Sequence, residues 1–174
     1  MPRLFTAIAM PNETEKVLDQ FVLANEKVRI QQTKHITLQF IGNVSEAIAK
    51  TIEQDLQKIK MQDFELKVNG CDFFVSPGKE SILVAKIEQH PNLTTLHDLI
   101  GEILTQHGVE LDKRQYKPHI TLTRLKQPSL KLLDSLRQKA NKIALSLKVT
   151  GFVLYSVHPE QRPWYVRRKD YSFH

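Results

Sequence analysis

With a single cysteine, Cys71, the chain cannot form an intrachain disulfide, and a reducing compartment suits it. Only six glycines occur, and none falls in a glycine-rich phosphate loop, which argues against a kinase or ATP-using ligase built on such a loop. There is no His-Glu-x-x-His and no cysteine pair, so no metal and no cofactor is expected. No segment reaches the roughly 18 apolar residues of a membrane span. The opening Met1–Pro11 has one basic residue and an apolar run too short for a secretory signal, and it reads as a strand. A cytoplasmic protein is expected. Disorder is also excluded, since 41% hydrophobic and 25% charged residues are ordinary for a folded chain.

The chain does carry a surplus of positive charge, +6 with a pI near 9.4, which favours anionic partners such as nucleic acid. It also carries one tetrapeptide twice, His-Ile-Thr-Leu at His35–Leu38 and at His119–Leu122. In a half-buried strand the alternation puts His and Thr on one face and Ile and Leu on the other. Two such strands can place two imidazoles and two hydroxyls on one wall.

In chain order, Leu4–Ala9 reads as a strand, followed by a helix from Glu13 to about Ala24 that Asn12 or Thr14 would cap. Val28–Thr33 is extended or loop and leads into a strand His35–Ile41. A helix from Ser45–Glu46 to about Lys60 carries Ile48, Ile52, Leu56 and Ile59 as its apolar stripe. Phe64–Val68 is a strand ended by Gly70, and Phe73–Val75 runs into a turn. The order then repeats: strand Ile82–Ile87, helix Leu93–His107, the second His-Ile-Thr-Leu strand, helix Leu130–Ala140 and strand Ile143–Val149, ended by Gly151. Strands Phe152–Val157 and Trp164–Phe173 close the chain. His119 lies 84 positions after His35 (119 − 35) and Gly151 lies 81 after Gly70 (151 − 70). This predicts one α+β domain over 1–174 made of two pseudo-repeats, roughly 1–78 and 79–174, as a pseudo-twofold pair of lobes about one cleft.

An imidazole has an unperturbed pKa of about 6.5 and can give or take a proton near neutrality, so a facing pair suits a reaction that needs both an acid and a base. One copy of the motif alone reads as an ordinary edge strand, but its duplicate at the equivalent repeat position reverses that reading. Thr37 and Thr121 are placed to donate to phosphate oxygens as charge builds there. Arg124 is three residues past Thr121 with opposite parity, so it reaches the cleft to clamp phosphate only where the strand twists or ends. Phe5, Tyr155 and Tyr165 are candidates to stack a base or to line the cleft, with core packing as the competing reading. Lys113-Arg114 and Arg167-Arg168-Lys169 either attract RNA or form solvated surface.

Arg3-Leu4-Phe5-Thr6-Ala7-Ile8, the two His-Ile-Thr-Leu motifs, Pro118, Arg124, Leu154-Tyr155-Ser156 and Trp164-Tyr165 together make the chain similar to the two-histidine (2H) phosphoesterases. More specifically, these residues look like the RNA 2′,3′-cyclic phosphodiesterase, or 2′-5′ RNA ligase (LigT-like), branch. The resemblance spans essentially the whole chain. It implies a bilobal fold of two antiparallel sheets flanked by helices with a central cleft. It further implies metal-free hydrolysis of a terminal 2′,3′-cyclic phosphate to a 2′-phosphate and a reversible 2′-5′ joining activity, with RNA ends or nucleotides bearing that phosphate as partners. The branch often carries a Trp ahead of the first motif, and Val28–Lys34 has none. His119 is assigned as base and His35 as acid to the 3′ oxygen, the roles exchanging in the reverse direction. A monomer is expected. Two other readings are small cyclic nucleotides or ADP-ribose cyclic phosphate as substrate, and a module that binds RNA ends without turnover.

Overall fold

The computed structural model describes residues 1–22, 28–31, 33–76 and 78–174. Its elements are β1 (Arg3–Ala9), α1 (Asn12–Asp19), β2 (Arg29–Ile30), β3 (His35–Asn43), α2 (Glu46–Leu56), β4 (Phe64–Val75), β5 (Glu80–Ile87), α3 (Pro91–Gln106), β6 (His119–Lys126), α4 (Leu130–Ala140), β7 (Ala144–Val149), β8 (Gly151–Val157) and β9 (Tyr165–Ser172). The fold is α+β, as the alternation of periods in the sequence predicts.

Several helix ends differ from the sequence reading. At α1 the capping position is Pro11 rather than Asn12 or Thr14, with no side-chain cap, and the helix closes at Asp19. The part of that expected helix beyond residue 22 lies outside the described residues. At α2, Ser45 is the cap and accepts from the Ile48 amide at 3.2 Å. This helix ends at Leu56, short of Lys60. It buries Ala49, Ile52 and Leu56, whereas Ile48, expected in the apolar stripe, is turned outward. Ser129 caps α4 in the same manner as Ser45, at 3.1 Å to the Leu132 amide.

All strand pairs are antiparallel, in the order β7-β4-β5-β6-β3-β1-β8-β9, with β2 beside β6. The two sheets implied by the resemblance are two four-stranded halves of this array, joined between β3 and β6 by one residue pair, Ile36 with Ile120. These two isoleucines occupy equivalent places in the repeat (120 − 36 = 84).

Gly70 does not end a strand, as the sequence reading has it, but bends β4. It lies at φ +71°, a conformation that costs other residues a Cβ clash, and the register with β5 shifts across it. Before the bend β4 pairs with β7 and, at Val68, with β5, and after it with β5 alone. Gly151 marks the matching place, where β7 gives way to β8 and the chain moves on to pair with β1. Each four-stranded half of the array therefore takes strands from both halves of the sequence.

One face of the array packs against the helices. Ile36, Leu38, Ile120 and Leu122 are buried there with Ile52 and Leu56 of α2, Leu96 and Ile100 of α3 and Leu136 of α4. At roughly 1.5–3 kcal/mol for each large aliphatic side chain removed from water, this burial fixes which face of β3 and β6 turns inward. A smaller cluster, Phe5, Ala7, Val153 and Tyr155, occupies the opposite face of β1 and β8. Among the described residues no helix is long and apolar enough to cross a membrane.

Gly151 also admits a close backbone approach, since a Cβ there would lie 1.9 Å from the Tyr171 carbonyl oxygen on β9. Gly151→Ala should lower stability by on the order of 3 kcal/mol or more in urea denaturation. Gly42→Ala, where φ is +81° but the space is open, should cost only about 1 kcal/mol. Equal losses would show that the β8–β9 contact yields to the added methyl.

Candidate active site

The two motif strands have the same burial pattern over their first seven residues. Ile36, Leu38, Ile120 and Leu122 enter the core, so His35, Thr37, His119 and Thr121 are all turned to the opposite face, as the alternation predicts. The antiparallel pairing of Ile36 with Ile120 brings His35 alongside Thr121 and His119 alongside Thr37.

Both strands then carry a bulge at the same repeat position. Against β1 the partner of Thr6 is Gln39 and that of Ala7 is Thr37, so Leu38 is the extra residue. Against β5 the partner of Leu83 is Thr123 and that of Val84 is Thr121, so Leu122 is the extra residue. A bulge shifts the alternation by one place. Ile41 and Leu125 consequently return to the core, and Phe40 and Arg124 emerge on the histidine face. The parity conflict at Arg124 is resolved in this way, by a bulge rather than by the end of the strand.

Each histidine is oriented by the carbonyl two residues before it. The Nδ1 of His35 lies 3.1 Å from the Thr33 oxygen, and that of His119 lies 2.7 Å from the Lys117 oxygen. A carbonyl only accepts, so Nδ1 is the protonated nitrogen in both rings and Nε2 is the nitrogen available for proton exchange.

The surroundings of the two rings differ. His35 is enclosed by Phe5 at 5.1 Å between ring centroids, Tyr165 at 5.3 Å edge-on and Tyr155 at 6.0 Å. His119 meets Phe74, edge-on at 5.0 Å. Burial in the aromatic box pushes the His35 pKa down from 6.5 to about 4. The Thr33 hydrogen bond opposes that shift and the nearby His119 adds to it. His35 is neutral at pH 7.

Of the residues expected to stack a base, Phe5 and Tyr155 are 3% and 2% exposed and stack on each other at 5.2 Å, and Tyr165 closes the box edge-on to Phe5. All three wall in His35, and neither Phe5 nor Tyr155 has an open face. Phe40, by contrast, is open, at 59% exposed. It lines a pocket of about 570 Å³ with Thr37, Phe74, Arg114, Tyr116 and His119. Burial pushes the Tyr116 hydroxyl pKa up, so it remains a donor, and it bonds the Thr37 carbonyl at 2.7 Å.

Phe40, Phe74 and Tyr116 are absent from the sequence-based set. Two were reachable through the repeat offsets, since Phe40 matches Arg124 (124 − 40 = 84) and Phe74 matches Tyr155 (155 − 74 = 81). Of the basic run at the end of the chain, Arg168 is tied to Glu46 and Glu53 of α2, and Arg167 bonds Asp170 at 2.8 Å. Among the described residues no three His, Cys, Asp or Glu side chains group to hold a metal ion.

Fold and site together define a duplicated α+β scaffold that presents two tautomer-fixed imidazoles on one sheet face, the architecture of a two-histidine phosphoesterase. Residues 16–160 match the model of the 2′-5′ RNA ligase superfamily, and the chain belongs to that family. It is 26% identical to the RNA 2′,3′-cyclic phosphodiesterase of Archaeoglobus fulgidus over 157 residues, which cover 87% of this chain and 89% of the relative. It is 27% identical to the protein of the same description from Bacillus subtilis, over 75% of this chain and 72% of that one. Among solved structures it is similar to Escherichia coli LigT complexed with 3′-AMP. The TM-score is 0.78 at 22% identity, over 99% of this chain and 98% of that chain. TT0787 of Thermus thermophilus gives a TM-score of 0.69 at 23% identity, over 98% and 97% of the two chains.

The aromatic box has a measurable consequence. A histidine whose folded pKa lies below its unfolded value binds more protons when unfolded, so its contribution to stability is fully present above pH 6.5 and is lost as pH falls toward 4. In an NMR titration His35 should titrate near pH 4 in the wild type. In Tyr165→Ala, where water reaches the ring, the midpoint should move up toward 6.5. A wild-type midpoint already near 6.5 would refute the burial argument.

Proposed function

We propose that this protein is an RNA 2′,3′-cyclic phosphodiesterase that opens a terminal 2′,3′-cyclic phosphate to a 2′-phosphate by two-histidine acid–base catalysis. The observation that carries the reading is the pair of imidazoles on one face of β3 and β6. Each has Nδ1 anchored to a backbone carbonyl, and each has a motif threonine of the other strand beside it. Opening a cyclic phosphodiester requires activation of water on one side of phosphorus and protonation of the departing oxygen opposite. Two Nε2 atoms supply those two functions. Thr37 and Thr121 then donate to the non-bridging oxygens, and Arg124 adds a guanidinium on the same face. The names of the relatives support the same chemistry.

His119 acts as base and His35 as acid in this reading. His35 is neutral in the free protein, so it acquires its proton when the anionic phosphate enters the cleft and offsets the positive charge within the aromatic box. An imidazolium held in such surroundings gives its proton readily to a departing 3′ oxygen. With a 5′ hydroxyl in place of water, the same pair joins the cyclic-phosphate end to a second RNA: the 5′ oxygen bonds phosphorus, the bond to the 3′ oxygen breaks as that oxygen takes a proton, and a 2′-5′ phosphodiester results, the 2′-5′ ligase activity. The nucleoside occupies the pocket beside His119, with its base against the open ring of Phe40.

The test is incubation of EDTA-treated protein with an RNA oligonucleotide ending in a 2′,3′-cyclic phosphate, with identification of the product isomer. Wild type should yield the 2′-phosphate. His35→Ala and His119→Ala should each slow the chemical step by a factor on the order of 10² to 10⁴ with folding preserved. Thr37→Val and Thr121→Val should cost less. A 3′-phosphate product would exchange the leaving oxygen. Turnover of mononucleoside cyclic phosphates alone would replace RNA by small nucleotides as substrate, and a near-wild-type rate in either histidine variant would remove that residue from the mechanism.

The role assignment has its own measurement. Phosphate binding at pH 7, followed by calorimetry in two buffers of different ionisation enthalpy, should show uptake of a proton. His35→Ala should abolish it. Binding without proton uptake would exchange the roles of the two histidines.

A further inference from the structure

Lys34, immediately before His35, is 2% exposed and heads the fully buried side chains by volume. An ammonium in that place is costly unless something holds it, and an apolar side chain would fill the space with no such cost. Its Nζ pairs with Asp19 of α1 and donates to the Gln31 carbonyl at 2.9 Å. Its backbone N–H donates to Glu15 Oε1, also of α1, at 2.9 Å. Glu15 and Asp19 are four apart on one helix and so lie on one face of it. That face holds residue 34 by both its main chain and its side chain.

The peptide unit between Thr33 and Lys34 connects this grip to the site. A peptide is planar, and its C=O and N–H point in opposite directions. The N–H end is fixed on Glu15, and the C=O end is the Thr33 oxygen that receives Nδ1–H of His35 at 3.1 Å. Fixing one end of the plane aims the other, and a carboxylate on the N–H polarises the carbonyl as an acceptor.

The second motif achieves the same geometry differently. The position equivalent to 34 is Pro118 (118 − 34 = 84), which has no N–H to anchor. Its ring fixes its own φ and restricts the preceding residue to extended backbone, so the Lys117 carbonyl is aimed at His119 Nδ1 without any side-chain clamp. The non-proline motif needs the clamp that the proline motif lacks.

We propose that Glu15 and Asp19, acting through the Thr33–Lys34 peptide and the buried Lys34 ammonium, are positioning residues that hold His35 in its Nδ1–H tautomer. The proposal rests on the catalytic role given to His35 above. Without the clamp the peptide plane can rotate, the Thr33 carbonyl leaves Nδ1, and the proton distributes between the two ring nitrogens. Part of the population then presents the wrong nitrogen to the substrate.

The test combines ¹⁵N-detected NMR of the histidine rings with steady-state kinetics on the cyclic-phosphate oligonucleotide, for wild type, Glu15→Ala, Asp19→Asn and Lys34→Met. In wild type His35 should be the Nδ1–H tautomer alone. In the variants it should become a mixture, with the His119 signals unchanged, and kcat should fall about 10- to 100-fold while KM changes little. Lys34→Arg should restore part of the loss. If Lys34→Met does not fold, Glu15→Ala decides, because it removes one anchor and leaves the buried ammonium paired. A pure Nδ1–H tautomer in Glu15→Ala, or a mixture with undiminished kcat, would overturn the proposal. A wild type inactive on every cyclic phosphate would instead refute the proposed function, and the tautomer comparison would still judge the clamp.

Discussion

The geometry of the molecule turns on the contact of Ile36 with Ile120. These two residues alone pair β3 with β6, joining two four-stranded halves, and both side chains are fully buried. Their burial against the helices forces the residue on either side of each to the other face of the array. A one-residue slip of either strand would exchange its faces and bury its imidazole. The register that brings His35 beside Thr121 and His119 beside Thr37 is therefore set by hydrophobic burial.

The exchange of strands reinforces this constraint. β4, from the first half of the sequence, lies among β5, β6 and β7, whereas the chain passes Gly151 to place β8 beside β1, so each half of the array contains strands of both repeats. A cleft between two lobes joined by a linker would open and close. Here the strands that carry the histidines share a sheet.

The His-Ile-Thr-Leu motifs were legible in the sequence because period-two alternation and an exact repeat are both written in residue types. The fold class was legible for the same reason. What escaped was whatever depends on a break in the alternation. Arg124 had the wrong parity, and Phe40 attracted no notice, because a bulge at Leu38 and at Leu122 has no residue signature: leucine is an ordinary strand residue. Gly70 read as a stop because glycine marks turns and bulges alike. Phe5 and Tyr155 had two readings in the sequence, ligand contact or core, because an aromatic near a site has two uses, and burial separates them. Lys34 showed nothing at all, since a buried cation is visible only once its carboxylates, 19 and 15 positions earlier, are seen around it.

Under the proposed function a symmetrical scaffold must run an asymmetrical reaction. Opening a cyclic phosphodiester needs one group that takes a proton and one that gives it, and two histidines in identical surroundings would have equal claim to either part. The chain breaks the equivalence with neighbours. Around His35 the array supplies Phe5, Tyr155 and Tyr165, whereas around His119 it supplies Phe74. At the position past each bulge it supplies Phe40 on one strand and Arg124 on the other, an apolar ring against a guanidinium. Ahead of each histidine it supplies Lys34 or Pro118. Each of these pairs leaves the backbone geometry of the motif intact and changes only polarity, burial or the means of anchoring. The repeat fixes where the two imidazoles stand, and the departures from it give each imidazole surroundings of its own.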